Sequence, residues 1–393
     1  MNPRDVVILA AKRTPIGAFQ GALKSLSAPQ LGATAAKAAL AAAGVKPEQV
    51  EEVYVGCVLP ANVGQAPARQ VALAAGLPNS VPCTTINKVC GSGLKAVMIA
   101  AQGIKAGDCE VALAGGMESM SNVPYYVAGA RDGLKFGNSA LIDGMIKDGL
   151  WDVYNDYHMG NAAELCAREM DINRAAQDEF AAESYRRALE AQKAGVFADE
   201  IAPVEVPQRK GAALVVDTDE EPGRGDPSKF SGLRPAFDKN GTVTAANASS
   251  LNDGAAMVVL ASRAFADAHG LTPLATIVGH GSAAQAPEWF TTAPAKAMSK
   301  TLTKLALAVE DIDLFEVNEA FAVVSVANER ELKLDRSKVN VYGGAVALGH
   351  PIGASGARIL ATLVHALKRQ GKKRGMASLC IGGGEAVALV VER

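Results

Sequence analysis

The run Asn87-Lys-Val-Cys90-Gly-Ser-Gly-Leu-Lys-Ala-Val-Met-Ile-Ala-Ala101 joins two kinds of local structure. A β-like approach, Cys83 to Val89, leads into an apolar, Ala-rich segment with helical character. Gly91 and Gly93 permit a tight turn and close backbone approach between them. Cys90 therefore stands at a strand-to-helix junction, the cysteine counterpart of a nucleophile elbow. A helix N-terminus and its free N–H groups favour a thiolate there. On these residues alone two readings stay open, a reactive thiol and a small buried core cysteine.

The rest of the composition narrows the class. A chain of 393 residues allows two or three domains, and its Ala- and Gly-rich, aromatic-poor make-up suits tightly packed α/β layers. A formal net charge of −2 gives no reason to expect nucleic acid or a membrane surface as partner. The six cysteines show no Cys-x-x-Cys spacing, so neither a disulfide framework nor a metal site is expected. The apolar run Val6 to Ala11 is too short for a signal-peptide core, no stretch is long enough to span a bilayer, and the C-terminal Val-Val-Glu-Arg is not a peroxisomal address. A reducing cytoplasm is expected.

Read in order, the chain alternates strands and helices. Val6–Ala11 reads as a strand, Ala28–Ala43 as a helix closed by Gly44, Val50–Cys57 as a strand, and Ala66–Ala75 as a helix closed by Gly76. After the Cys90 helix, Glu110–Ala114 is a strand followed by Gly115-Gly116. This alternation predicts a largely parallel, layered sheet. Residues 121–246 differ: amphipathic helices such as Arg174–Lys193 lie between irregular polar segments, and Asp217–Pro235 reads as exposed loop. They are expected to form an inserted loop subdomain. The last third echoes the first. Val50-x-x-Val53-Tyr54-Val55-Gly56 matches Ile312-x-x-Phe315-Glu316-Val317-Asn318, and Gly91-Ser92-Gly93 matches Ala354-Ser355-Gly356. Ala112-Leu113-Ala114-Gly115-Gly116 matches Leu379-Cys380-Ile381-Gly382-Gly383, each followed by an acid, Glu118 and Glu385. Two similar α/β halves are expected, 1–120 with 247–270 and 271–393, related by a pseudo-twofold that brings equivalent loops together.

That convergence would join Cys90 to three more motifs. His350 lies in the glycine-dense run Gly343 to Gly356, where an imidazole can take a proton from a thiol. Cys380 ends an apolar run before Ile381-Gly382-Gly383-Gly384, whose backbone N–H groups are available to an oxyanion. Asn318, in Val-Asn-Glu-Ala-Phe, can orient a water or donate to a carbonyl oxygen. Structural readings remain for each: a core cysteine at 380, a turn asparagine at 318.

Asn-Lys-Val-Cys-Gly-Ser-Gly at 87–93, Asn318-Glu319-Ala320-Phe321, Gly343-Gly344 through His350-Pro351-Ile352-Gly353 to Gly356, and Cys380-Ile381-Gly382-Gly383-Gly384 stand in the order found in thiolases. The sequence resembles that family from first strand to last, most closely its acetoacetyl-CoA (acetyl-CoA acetyltransferase) branch. The resemblance implies two βαβαβαββ halves in an α-β-α-β-α layered core with the inserted loop subdomain. It implies acetyl-CoA C-acetyltransferase activity, joining two acetyl-CoA to acetoacetyl-CoA and CoA through an acyl-cysteine. In that reading Cys90 resembles the nucleophile, His350 its base, and Cys380 the acid/base at the methyl carbon. Asn318, through a water, and His350 resemble one oxyanion hole; the N–H groups of Cys90 and Gly382 resemble the other. CoA is part of the substrate, and no separate cofactor or metal is implied.

The family's pantetheine tunnel is implied at His158, Met159 and Ser249, with Phe237, Phe321 and Leu150 as apolar neighbours. The family's basic residue beside the adenine falls on Pro222 here, which leaves Arg224 as the candidate, and a surface charge is its other reading. Trp289-Phe290 is expected near the acyl pocket or as loop packing. Asn122–Leu150 resembles the family's tetramer-forming loop, implying a homotetramer built from dimers. Four alternatives stand beside this one: a 3-ketoacyl-CoA thiolase with broader chain-length range, another thiolase-fold condensing enzyme such as a ketoacyl synthase, against which the second Cys-Ile-Gly-Gly-Gly loop argues, a Cys-His thioester hydrolase, and a non-catalytic acyl-CoA carrier.

Overall fold

The computed structural model describes residues 2–393. The first half supplies β1 (Val6–Arg13), α1 (Ala28–Ala43), β2 (Glu52–Gly56), α2 (Pro67–Ala74), β3 (Cys83–Ile86), α3 (Ser92–Ala106) and β4 (Val111–Ser119). The segment after β4 carries α4 (Met159–Glu169) and α5 (Arg174–Lys193), and β5 (Asn252–Ser262) then completes the half. The second half supplies β6 (Ala275–Ala284), α6 (Ala293–Lys304), β7 (Leu314–Val317), α7 (Ala322–Leu332), α8 (Ser355–Arg369), β8 (Arg374–Ile381) and β9 (Glu385–Glu392). Local signals account for several boundaries. Ser27 and Gln30 form a capping box at the start of α1, and Gly44 ends it in the left-handed conformation.

The strands run β7-β8-β9-β6-β1-β5-β4-β2-β3 in one hydrogen-bonded path. Each half thus has the same order from the middle outward, its first strand central and its last strand next to it. The two halves meet through two residue pairs, Val7 with Thr276 and Ile8 with Ala275. The sheet is mixed rather than largely parallel: β3, β2 and β4 run parallel, as do β7 and β8, and the other pairs along the path are antiparallel. The reason is the connection to the last strand of each half. β9 follows β8 through a hairpin turn, and β5 returns from the long insertion, so neither is reached by the helical crossover that parallel pairing requires.

Five layers result. α1 and α2 cover the outer face of the first half and α6 that of the second. α3 and α8 lie between the two halves in one apolar cluster drawn from both, including Leu94, Val97, Ile359, Leu363, Leu260 and Leu389. The helices of this middle layer touch at their N-termini. A Cβ on Gly93 would sit 2.9 Å from the Ala357 nitrogen, and one on Gly356 would sit 2.4 Å from the Leu94 nitrogen. β4 is longer than the sequence suggests, and its Gly115-Gly116 lies inside the strand. A Cβ on Gly116 would fall 1.9 Å from the Gly353 carbonyl oxygen, so the glycine serves the approach of the second half, not the end of a strand.

This also corrects the third internal match. β2 pairs Val55 with Gly115, while β7 pairs Val317 with Ser378. Ser378 is therefore the counterpart of Gly115, and Cys380 that of Met117. Matching the glycine runs by sequence introduces a slip of four residues, because one lies within a strand and the other in the turn beyond one.

Two glycine-to-alanine changes separate packing from propensity. Gly103, in the last turn of α3, has only Cys109 Sγ near its missing Cβ, at 3.9 Å, so Gly103→Ala is expected to stabilise by about 0.5–1 kcal/mol. Gly356→Ala is expected to destabilise by about 1–3 kcal/mol through overpacking against Leu94. Urea unfolding of both variants measures the opposite signs.

Candidate active site

Cys90 is presented by a strained turn. Val89 has φ +46°, a left-handed conformation that a β-branched residue rarely adopts. Local bonds hold it: Val89 N–H donates to Asn87 Oδ1 at 3.0 Å, Lys88 N–H to Ser92 Oγ at 2.8 Å, and Ser92 Oγ–H to the Val89 carbonyl at 2.6 Å. The sulfur faces backbone N–H groups from Gly382 and from Cys90 itself. Burial nevertheless outweighs them and pushes the thiol up to about 11. The helix end does not by itself yield a resting thiolate, contrary to the sequence expectation; a base is needed.

His350 supplies a candidate. It lies between the short helix Ala345–Leu348 and α8. Its N–H donates to Asn252 Oδ1 at 2.8 Å, tying its loop to the start of β5. Its ring Nδ1 lies 2.6 Å from Ser355 Oγ. The Ser355 hydroxyl proton is engaged with the Pro351 carbonyl at 2.9 Å, so Oγ accepts from Nδ1–H. That leaves Nε2 with a free lone pair. Burial, with Arg358 adding to it, pulls the imidazole from its ordinary 6.5 down to about 3, so the ring is neutral near pH 7. Asn318 Nδ2 stands 3.5 Å from Nε2, and Asn318 Oδ1 accepts from Arg358 at 3.3 Å.

Cys380 ends β8 and is buried in a cluster with Met159, Phe290 and Phe321. Its thiol is pushed well up, by burial first and by the neighbouring Cys90 second. Gly382 follows in a turn whose Gly383 and Gly384 have φ +88° and +82°.

Cys90, His350, Cys380 and Gly382 line one cavity of about 420 Å³, its wall otherwise largely apolar. The structure brings Leu150, His158, Met159, Phe237, Ser249 and Phe321 to the same wall. His158 stacks on Phe237 with ring centroids 4.7 Å apart, and Ser249 Oγ donates to the Ala320 carbonyl at 2.9 Å. Asn318 is fully buried behind His350 and does not line the cavity. Arg224 is exposed on the turn Pro222–Arg224 and is not among the lining residues of this cavity. Of the aromatic pair, Phe290 lines the cavity and Trp289 does not.

Sequence reasoning missed the residues that hold these groups. Glu118 is fully buried and accepts N–H bonds from Val58 at 3.0 Å, Leu59 at 3.2 Å and Gly353 at 2.9 Å, joining the first half to the His350 loop. Burial lifts its carboxyl to about 7 against those three bonds. Ser355 and Asn252 fix His350, and Arg358, paired with Glu316 at 3.5 Å, fixes Asn318. One signal was available for Ser355, its place in a Gly-Ala-Ser-Gly run beside the histidine.

The chain matches two family models end to end: "Thiolase, N-terminal domain" over residues 6–264 and "Thiolase, C-terminal domain" over 271–393. It is 57% identical to an acetyl-CoA acetyltransferase of Cupriavidus necator, with 99% of each chain covered. It is 56% identical to acetyl-CoA acetyltransferase 2 of Arabidopsis thaliana, covering 100% of this chain and 98% of the other. Among solved structures it resembles the Bacillus anthracis acetyl-CoA acetyltransferase, with a TM-score of 0.97, 44% identity, and 99% and 98% of the two chains covered. It also resembles the Acat5 thiolase from Ascaris suum in complex with coenzyme A, with a TM-score of 0.94, 45% identity, and 99% and 100% covered.

A neutral buried His350 has a measurable consequence. Between pH 6.5 and about 3 the unfolded chain binds a proton at this position that the folded chain does not. The site's contribution to stability is therefore lost as pH falls, by about 1.4 kcal/mol per pH unit. Urea unfolding between pH 6 and 5 is expected to show that slope in the wild type beyond any in His350→Asn. A difference between the two proteins that does not vary with pH would refute neutral burial.

Proposed function

The chain belongs to the thiolase family, and from that premise we infer that it is an acetyl-CoA C-acetyltransferase, condensing two acetyl-CoA to acetoacetyl-CoA and CoA and running the reverse thiolysis. The observation that carries the residue roles is the meeting of Cys90, His350, Cys380 and Gly382 on one largely apolar cavity wall.

In the first half-reaction Cys90 Sγ attacks the thioester carbonyl of acetyl-CoA while His350 Nε2 takes the thiol proton. The carbonyl oxygen gains charge opposite the N–H groups of Cys90 and Gly382. The C–S bond to CoA breaks, and Cys380 gives its proton to the departing CoA sulfur. Acetyl-Cys90 and a Cys380 thiolate remain. Burial opposes that thiolate, and the positive charge left on His350 at the same cavity wall offsets part of the penalty, so Cys380 is available as a base when the second substrate arrives.

In the second half-reaction Cys380 removes a methyl proton from a second acetyl-CoA. The enolate oxygen is stabilised by the His350 imidazolium and by a water held on Asn318. The carbon attacks acetyl-Cys90, the C–S bond breaks, and His350 returns its proton to the Cys90 sulfur. All protons balance, and the steps need no metal or redox partner. Pantetheine follows Ser249, His158 and Met159 past Phe237, Phe321 and Leu150.

The enzyme is further proposed to be a homotetramer, a dimer of dimers, working in a reducing cytoplasm. Segment 122–150 supports the assembly: Leu134, Phe136 and Leu141 project from a small two-stranded ribbon and are exposed. The requirement for two free thiols supports the compartment.

Loss of acetoacetyl-CoA enolate absorbance on adding CoA is the direct test. Cys90→Ser is expected to abolish both thiolysis and acyl-enzyme formation. Cys380→Ser is expected to retain acylation of Cys90 while condensation falls by about 10²-fold or more. Release of free acetate in place of CoA-dependent cleavage would favour a hydrolase instead. Light scattering is expected to give four times the chain's mass; the mass of a single chain would rule out the assembly.

A further inference from the structure

The catalytic thiol and the turn that completes its oxyanion hole come from opposite halves of the molecule and are distant in sequence. They abut closely: a Cβ on Gly382 would lie 3.6 Å from Val89 Cγ1, and one on Gly91 would lie 2.4 Å from Ile381 Cδ1. These contacts are apolar and set no register along the loop. Apart from the Gly382 N–H that faces the Cys90 sulfur, one side-chain polar bond joins the two segments among the described residues. Lys88 Nζ, two residues before Cys90, donates to Glu385 Oε2, three residues after Gly382. Glu385 is the first residue of β9 and pairs with Ile381, so it closes the turn that presents the Gly382 N–H. Within that turn Gly384 is fixed against the Gln285 and Ala286 carbonyls, whereas Gly383 has only Tyr154 at 3.9 Å near its missing Cβ. Glycines impose little conformational preference of their own. The position of the Gly382 N–H therefore needs an anchor on the Cys90 side.

We propose that the Lys88–Glu385 ion pair is a positioning clasp that holds the Gly382 N–H in register with Cys90. Neither residue touches substrate in this account, which rests on the functional reading above. Both side chains are about one-third exposed, so the pair contributes little to stability. Its effect falls on geometry, to which an oxyanion hole is far more sensitive than the fold is.

The test compares Lys88→Met, Glu385→Gln and the double variant. Two rates are read: acetyl transfer from labelled acetyl-CoA to Cys90 under single-turnover conditions, and alkylation of Cys90 by iodoacetamide at fixed pH. A clasp predicts that both single variants slow acylation about tenfold, that both slow alkylation, and that the double variant is no slower than the worse single. Melting temperature and KM for acetyl-CoA stay near wild type. A purely through-space effect of charge on the thiolate predicts opposite signs, Lys88→Met slower and Glu385→Gln faster in alkylation. Opposite signs, or single variants with wild-type rates, overturn the proposal. Wild-type protein that transfers no acetyl group would instead remove the functional reading, and the alkylation comparison would still stand.

Discussion

The site exists because two helix N-termini come within backbone contact. Gly93 at the start of α3 and Gly356 at the start of α8 face one another across the pseudo-twofold, and Gly116 meets the carbonyl of Gly353 beside them. A methyl group at any of the three would overlap backbone atoms, which cannot move aside as a flexible side chain could. The close approach fixes the separation of the loops entering the two helices. Those loops carry Cys90 and His350, so a packing constraint in the middle layer becomes a distance between a thiol and an imidazole.

Desolvation then sets the resting chemistry. It pushes the Cys90 and Cys380 thiols up, pulls His350 down, and lifts Glu118 and Glu316. In each case burial disfavours whichever form is charged, so the two thiols and the imidazole rest neutral near pH 7. In the proposed reaction charge develops at the cavity wall, where N–H groups from Cys90 and Gly382 already face the Cys90 sulfur. These groups need no reorganisation when the charge develops, which is how a preorganised site lowers a barrier. The cost is that buried polar groups must be held by other buried groups. Glu118 holds three N–H donors, and Arg358 spans Glu316 and Asn318.

The sequence carried the cavity-facing groups more clearly than their supports, and the difference is physical. Cys90 and His350 stand in glycine-dense loops and Cys380 just before one, because backbone must approach backbone there, and glycine is conspicuous. Glu118 reads as one acid among many, and its bonds to Gly353 cross 235 residues of chain. Arg358 reads as part of an amphipathic helix, and only the fold shows that it is fully enclosed. The alternation of strands and helices was legible, but strand order and direction were not, because direction depends on whether a connection is a crossover or a return. The glycine slip between β4 and β8 has the same origin: glycine marks close approach, and close approach occurs both inside strands and in turns.

The inserted region is held to this core by charge rather than by apolar area alone, and the location of that charge matters. Arg13, the last residue of β1, is 1% exposed and bonds Glu200 at 2.6 Å and Asp219 at 2.7 and 2.9 Å, both from the insertion. Glu200 also accepts from Thr362 of α8 at 3.0 Å. A buried ion cluster of this kind contributes little net stability relative to apolar packing, but losing one member strands the others without solvent. It therefore favours one placement of the insertion over neighbouring ones by the penalty on every misfit. His158, Met159, Phe237 and Ser249 all ride on that placement. The register of the cavity wall over Cys90 is thus fixed from the far end of β1, through the insertion and α8, by groups that never touch the cavity.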